Sequence, residues 1–183
     1  MRTLRFVLAA VAGIFLWQLQ AAAAEKENMI YLDLKDGRVT IELFEDKAPN
    51  HVKRIKELVR EGFYNGVVFH RVIDGFMAQT GDPTGTGRGG SDKPDLKAEF
   101  NDVSHVEGVL SMARTADPNS ANSQFFIMLA PAPHLDGQYT AWGKVVDGIE
   151  HVHNIKKGRA DQNGSVSDPD KIVKIQVAAD ADK

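Results

Sequence analysis

An arginine set in an apolar run is the first feature with chemical promise. His70-Arg71 interrupts the stretch VVFHRVI at residues 67–73, and Gly75-Phe76-Met77-Ala78-Gln79 follows directly after one turn signal. Further along, Ser123-Gln124-Phe125-Phe126-Ile127 alternates so that its two aromatics point to opposite faces of a strand, with Gln124 on the face of Phe126. Together these segments offer one permanent cation, two amides and several large apolar groups. A guanidinium stays charged and holds its donors in a rigid fork. Histidine is the one neighbouring group able to move protons, and no nucleophile accompanies it. A site built from this set would serve a reaction that needs no nucleophile. Each member also has an ordinary structural reading: Arg71 a solvated strand arginine, Phe126 and Met77 core filler, Gln79 a surface amide.

Other chemistry is excluded by pattern. Gly85-Thr86-Gly87-Arg88-Gly89-Gly90 satisfies G-x-G-x-x-G, but Ser91-Asp92-Lys93-Pro94 follows, which cannot open the helix on which a phosphate would sit. The stretch reads instead as a flexible rim loop. None of the six histidines stands in H-E-x-x-H, and there is no cysteine, so neither a zinc set nor a thiol nucleophile nor a disulfide framework is expected. Ser111 and Ser123 lie in L-S-M and N-S-Q rather than G-x-S-x-G, so no nucleophile elbow exists. Asn163-Gly164-Ser165 matches a glycosylation triplet of a kind that chance often supplies.

The 183 residues suit one domain, and a charged fraction of 26% with 43% hydrophobic residues is that of an ordinary folded chain. A net charge of −3 leaves no electrostatic footprint for nucleic acid. The apolar residues crowd the start: Arg2 and Arg5 precede an uncharged stretch over 6–24, ending in Ala22-Ala23-Ala24 before Glu25-Lys26-Glu27. A basic start, an apolar middle and small residues at the end read as a secretory leader over 1–24. A retained membrane anchor is the alternative, against which Gln18 and Gln20 and the alanine run argue. Residues 25–183 then form the exported domain, destined for the periplasm by the general secretory route, with no stable membrane association after cleavage.

Several short elements must position the site. Residues 29–34 and 38–44 alternate as strands around Lys35-Asp36-Gly37, a hairpin signal. Pro49 and Asn50 open a helix whose Val52, Ile55, Leu58 and Val59 make one buried stripe, closed by Gly62. Strands are expected over 67–73, 76–80, 108–112, 124–129, 141–146 and 171–178, with a second short helix over 149–155. Some eight short strands and two helices favour an antiparallel β-barrel closed on itself, which would leave no exposed edge.

Three blocks of the sequence, FHRVIDGFMAQTGDPTGTGRGG, SMARTADPNSANSQFFI and LDGQYTAWGKVVDG, closely resemble the signature blocks of cyclophilin-type peptidyl-prolyl cis–trans isomerases, particularly the exported bacterial kind. The resemblance spans residues 29–178 and implies an eight-stranded antiparallel barrel capped by two helices, with an active-site groove on its outer surface. It implies catalysis of rotation about X-Pro bonds, without cofactor or metal, on proline-containing stretches of folding exported proteins, by a monomer. Arg71 matches the family's catalytic arginine, with His70 beside it. Phe76, Met77, Phe126 and Leu135 match the socket for the proline ring, and Gln79 matches the amide holding arginine and substrate backbone. Met112, Ala113 and Arg114 match the edge along which substrate lies, and Gln124 a second polar contact. His134 stands where a tryptophan is usual, Tyr139 where a histidine is, and Arg114 where an asparagine is. The missing tryptophan implies weak binding of cyclosporin, the family's inhibitor, with isomerisation intact. A different class of function, a proline-segment binding module or holdase with little turnover, would use the same groove.

Overall fold

The computed structural model describes residues 23–181. The expected leader thus lies outside the described residues, except for positions 23 and 24, which begin a helical turn over 23–27. Among the described residues no helix is long and apolar enough to cross a membrane.

Eight strands follow from the alternating segments: β1 (Met29–Leu34), β2 (Gly37–Leu43), β3 (Arg71–Ile73), β4 (Met77–Thr80), β5 (Val109–Met112), β6 (Phe125–Met128), β7 (Ala141–Asp147) and β8 (Lys174–Val177). They form one antiparallel sheet in the order β3-β4-β6-β5-β7-β2-β1-β8. Helix α1 (Pro49–Arg60) and the short α2 (Ile149–His153) complete the fold.

Period-two alternation divides the side chains between two faces. Val72, Ala78, Leu110, Phe125 and Ile127 point into the curl, where they meet Trp142, Tyr64, Phe69 and the α1 stripe of Val52, Ile55, Leu58 and Val59. Their neighbours Met77, Val109, Phe126 and Met128 point the other way and gather a second, smaller apolar cluster with Ala132, Leu135 and Ala141 on the outside. A sheet with one buried and one wet face has no need of this second cluster. The cluster gives the outer face of β4, β5 and β6 an apolar patch of its own.

The sheet is curled but open, which corrects the expectation of a closed barrel. Closure requires the two edge strands to share a staggered ladder, and β3 and β8 share none. The strand expected over 67–73 shrinks to Arg71–Ile73 because 67–69 leaves the ladder to meet 170–172: Phe69 N donates to Asp170 O at 2.8 Å and Ile172 N to Val67 O at 2.9 Å. The last strand accordingly begins at Lys174 rather than at 171, and α2 stops at His153 short of 155. The free edge of β3 is taken by the loop over 158–166, so a partner strand has no edge to join: Val72 N donates to Gly164 O at 2.8 Å and Val166 N to His70 O at 3.1 Å.

Helix α1 starts with Pro49 at its first turn, but Ala48 at the cap position supplies no side-chain acceptor. The orphan amides are satisfied instead by Glu99, from a loop remote in the chain. Its Oε1 accepts from Asn50 N at 3.1 Å and its Oε2 from His51 N at 3.0 Å, while the buried His51 ring places Nδ1 2.6 Å from Oε2. This clamp ties the helix to the long loop that runs past the outer cluster.

Candidate active site

The outer cluster forms the floor of a hollow of about 350 Å³ lined by Arg71, Phe76, Met77, Gln79, Ala113, Arg114, Phe126, His134, Leu135 and Tyr139. Register explains why these residues meet. Arg71 on β3 stands opposite Gln79 on β4, and Gln79 stands opposite Phe126 on β6. Directly paired residues share a face, so cation, amide and aromatic line up across three strands. Phe126 is buried beneath, Tyr139 meets it edge-on with ring centroids 5.7 Å apart, and Phe76 stacks on His134 at 5.9 Å. The Arg114 guanidinium lies 4.5 Å over the Tyr139 ring and its Nη2 donates to Gln138 O at 2.9 Å, which walls off one end.

A chain of hydrogen bonds fixes the polar groups. Arg71 Nη1 donates to Gln79 Oε1 at 3.2 Å, Gln79 Nε2 donates to Gln124 Oε1 at 3.0 Å, and Gln124 Nε2 donates to Gly87 O at 3.1 Å and Gly89 O at 2.8 Å. Arginine can only donate and the two carbonyls can only accept, so the orientation of both amides is dictated. On its other side Arg71 donates from Nε to Asn163 O and from Nη2 to Asn163 Oδ1, both at 3.0 Å. The guanidinium is half-buried, and loss of water around it pulls its pKa below the ordinary arginine value, offset in part by Tyr139. Of its five N–H groups three are engaged by oxygens. Two are held by no protein oxygen, and one of these, the second N–H of Nη1, has only the weak acceptor Met77 Sδ at 4.0 Å.

Three residues expected at the site lie off the hollow. His70 is buried beneath Gly87, where an added Cβ would come within 3.2 Å of its ring, and both ring nitrogens lack a partner. Burial holds its pKa below the usual imidazole value, with Asp82 drawing it up and Arg71 pushing it down. It borders a separate hollow behind Arg71. The Met112 side chain belongs to the inner core, and its amide is spent on Thr140 O at 3.0 Å because β5 is an interior strand. Gln124 braces Gln79 from behind and lines the neighbouring hollow of about 500 Å³.

Sequence reasoning missed Asn163, Asp82 and His105. Asp82 organises the loop expected to be merely a flexible rim: its Oδ1 accepts from Thr84 N at 2.8 Å, and its Oδ2 from Gly87 N at 2.6 Å and Arg88 N at 3.1 Å. Burial acts to raise its pKa, but these bonds outweigh it and bring the value down to about 2. Gly81 just before it sits at φ +90°, where a Cβ would lie 2.4 Å from Ser123 O. Only glycine allows β4 to leave the sheet so close to β6. The buried His105 supports Phe126, stacking on it at 6.4 Å, with Nδ1 2.9 Å from Asp136 Oδ1 and Nε2 3.0 Å from Ser111 Oγ. A G-D-P-T-G turn signal could have pointed to Asp82; nothing local marks the other two. Among the described residues no group of three or more His, Cys, Asp or Glu could hold a metal ion.

Comparison with known proteins agrees with this geometry. The family described as cyclophilin type peptidyl-prolyl cis-trans isomerase/CLD matches residues 29–177. A Brucella suis protein carrying the name "Probable peptidyl-prolyl cis-trans isomerase" is 55% identical over 171 residues, covering 87% of each chain. A peptidyl-prolyl cis-trans isomerase of Schizosaccharomyces pombe is 46% identical over 143 residues, covering 75% of this chain and 91% of its own. Among solved structures, a cyclophilin from Hirschia baltica superposes with a TM-score of 0.76 at 30% identity, covering 85% of this chain and 75% of its own. A Cryptosporidium parvum cyclophilin type isomerase, determined in the presence of the dipeptide Ala-Pro, gives 0.75 at 32% identity, covering 81% of this chain and 98% of its own. With the family pattern matched from β1 to β8 and its relatives aligned over most of their length, this chain belongs to the cyclophilin-type peptidyl-prolyl cis–trans isomerases.

Proposed function

We propose that Arg71, Gln79 and Phe126 carry the isomerase chemistry in the hollow on the outer face of β3, β4 and β6. The prolyl amide resists rotation because resonance gives its C–N bond partial double-bond character, a barrier of ~18–20 kcal/mol. In the half-turned state the prolyl nitrogen becomes pyramidal and regains a lone pair. Phe126, Met77, Phe76 and Leu135 grip the ring, so the segment before proline does the turning. The two N–H groups of Arg71 that no protein oxygen holds donate to that nitrogen or to the adjoining carbonyl. Either contact is stronger in the twisted form than in the planar one, which is the condition for lowering the barrier. No proton or covalent bond changes hands, so no general acid is required.

The observation that carries this reading is the register itself: a cation, its amide brace and an aromatic floor sit opposite one another on three adjoining strands above one hollow. A proline-containing polypeptide is the substrate, in keeping with the Ala-Pro dipeptide used with the Cryptosporidium relative. The reading extends to an exported monomer: residues 1–24 act as a cleaved leader, the domain works in the periplasm on folding exported proteins, and His134 in place of tryptophan leaves cyclosporin weakly bound. The test is a prolyl-peptide isomerisation assay on residues 25–183, wild type against Arg71→Ala. A fall of at least about tenfold, ~1.4 kcal/mol in the barrier, is expected with little change in Tm. Equal rates would refute it. Sequencing the N-terminus of exported protein tests the leader.

A further inference from the structure

The catalytic arginine lies on a three-residue strand that ends the sheet, with only β4 beside it in the ladder. Its outer side is held by the loop over 158–166. Gly158 N donates to Val72 O at 2.8 Å, Val72 N to Gly164 O at 2.8 Å and Val166 N to His70 O at 3.1 Å, so main chain grips main chain on both sides of Arg71. Gly164 permits the approach: at φ +78° it presses against β3, where a Cβ would come within 2.4 Å of Ile73 Cγ1. Immediately before it, Asn163 is itself left-handed, at φ 51° and ψ 36°, a conformation that asparagine, like aspartate, tolerates better than most side chains.

That conformation turns both oxygens of Asn163 toward the same guanidinium. Its main-chain O accepts from Arg71 Nε and its Oδ1 from Arg71 Nη2, each at 3.0 Å. With Nη1 held by Gln79 Oε1, the guanidinium plane is fixed at three of its donors and cannot swing off the sheet edge into solvent. We infer that Asn163 is a positioning residue for the isomerase reaction, holding Arg71 from behind so that its remaining N–H groups face the proline hollow. The Asn163-Gly164-Ser165 triplet thereby has a structural reason unconnected with glycosylation. This inference rests on the reading of Arg71 given above.

The decisive variant is Asn163→Gly, because glycine keeps the left-handed backbone and the main-chain acceptor while removing the side chain that carries Oδ1. The expected result is a kcat lower by roughly three- to tenfold, the net worth of one ordinary hydrogen bond, since Arg71 keeps its bonds to Gln79 and to the main-chain oxygen, with KM within about twofold and Tm unchanged. In the Arg71→Ala background the same substitution should do nothing further, since its effect passes through the guanidinium. The Arg71 Nη2 protons in NMR should exchange faster with water in Asn163→Gly than in wild type. An unchanged kcat, or an equal fall in the Arg71→Ala background, overturns the inference. If Arg71→Ala is itself without effect, the reading of Arg71 fails and the inference falls with it; if Arg71→Ala is slow and Asn163→Gly is not, only the role of Asn163 is lost.

Discussion

Changing Gln79 to glutamate replaces one NH2 by O⁻ without changing shape, and separates two things Arg71 could be doing. A carboxylate would hold the guanidinium at least as firmly as the amide does, since the Nη1 bond at 3.2 Å, charged on the arginine side alone, becomes an ion pair. If holding the arginine in place were all that mattered, activity would survive. If the positive field lowers the barrier, activity falls. A unit negative charge on the order of 6 Å from the turning nitrogen, at an effective dielectric of about 20, works against a full charge by roughly 3 kcal/mol and against a half-developed one by about 1.4. That is tenfold in rate. The chain behind Gln79 adds to it. The substituted carboxylate can no longer donate to Gln124 Oε1, and turning the Gln124 amide over would set its oxygen against Gly87 O and Gly89 O, which now receive its Nε2 at 3.1 and 2.8 Å. The expected outcome for Gln79→Glu is therefore a kcat/KM lower by about ten- to a hundredfold, with Tm shifted by less than about 4 °C, the equivalent of ~1 kcal/mol in a domain of this size. Gln79→Met, which removes the brace without adding charge, should lose less. Prolyl-peptide isomerisation followed by NMR exchange, alongside thermal melts, measures both. A Gln79→Glu enzyme within threefold of wild type would refute the electrostatic account of Arg71.

Two other carboxylates govern stability. Glu99→Ala strips the acceptor from Asn50 N, His51 N and the buried His51 ring, and should cost about 2–3 kcal/mol, lowering Tm by roughly 5–10 °C while isomerisation measured well below Tm stays within twofold. Burial holds the His51 pKa below 6.5 despite the opposing pull of Glu99, so the unfolded chain takes up that proton first; stability should be full above pH ~6.5 and decline as pH falls below it, which urea melts at pH 7.5 and 5.5 would register. Asp82, at about 2 against 3.8 in the unfolded chain, contributes about 2 kcal/mol that is present above pH ~4 and lost toward pH 2; Asp82→Asn should remove that acid-dependent part and loosen the 84–88 turn, seen as faster amide exchange at Gly87.

How far the sequence alone reached is clearest strand by strand. Alternation put Phe125 and Phe126 on opposite faces, because a pleated strand has no other way to place neighbours, while the fold decided that Phe125 turns inward and Phe126 outward. The Val52-Ile55-Leu58-Val59 stripe required a helix with one buried face, and Pro49 marked its start. All ten residues that line the outer hollow stand in the three signature blocks or directly beside them. What sequence could not decide was pairing at a distance. Whether 67–70 continues β3 or crosses to 170–172 depends on the competition for a backbone edge, which has no local signal, and that competition is what leaves the sheet open. The same holds for the partners of single atoms. Asn163 is 92 residues from Arg71, and Glu99 is 48 from His51, yet each supplies the acceptor that a charged or buried group needs. Residue type and period determine which face a side chain occupies; only the packed geometry of the folded chain determines which remote oxygen stands about three ångströms from a given nitrogen.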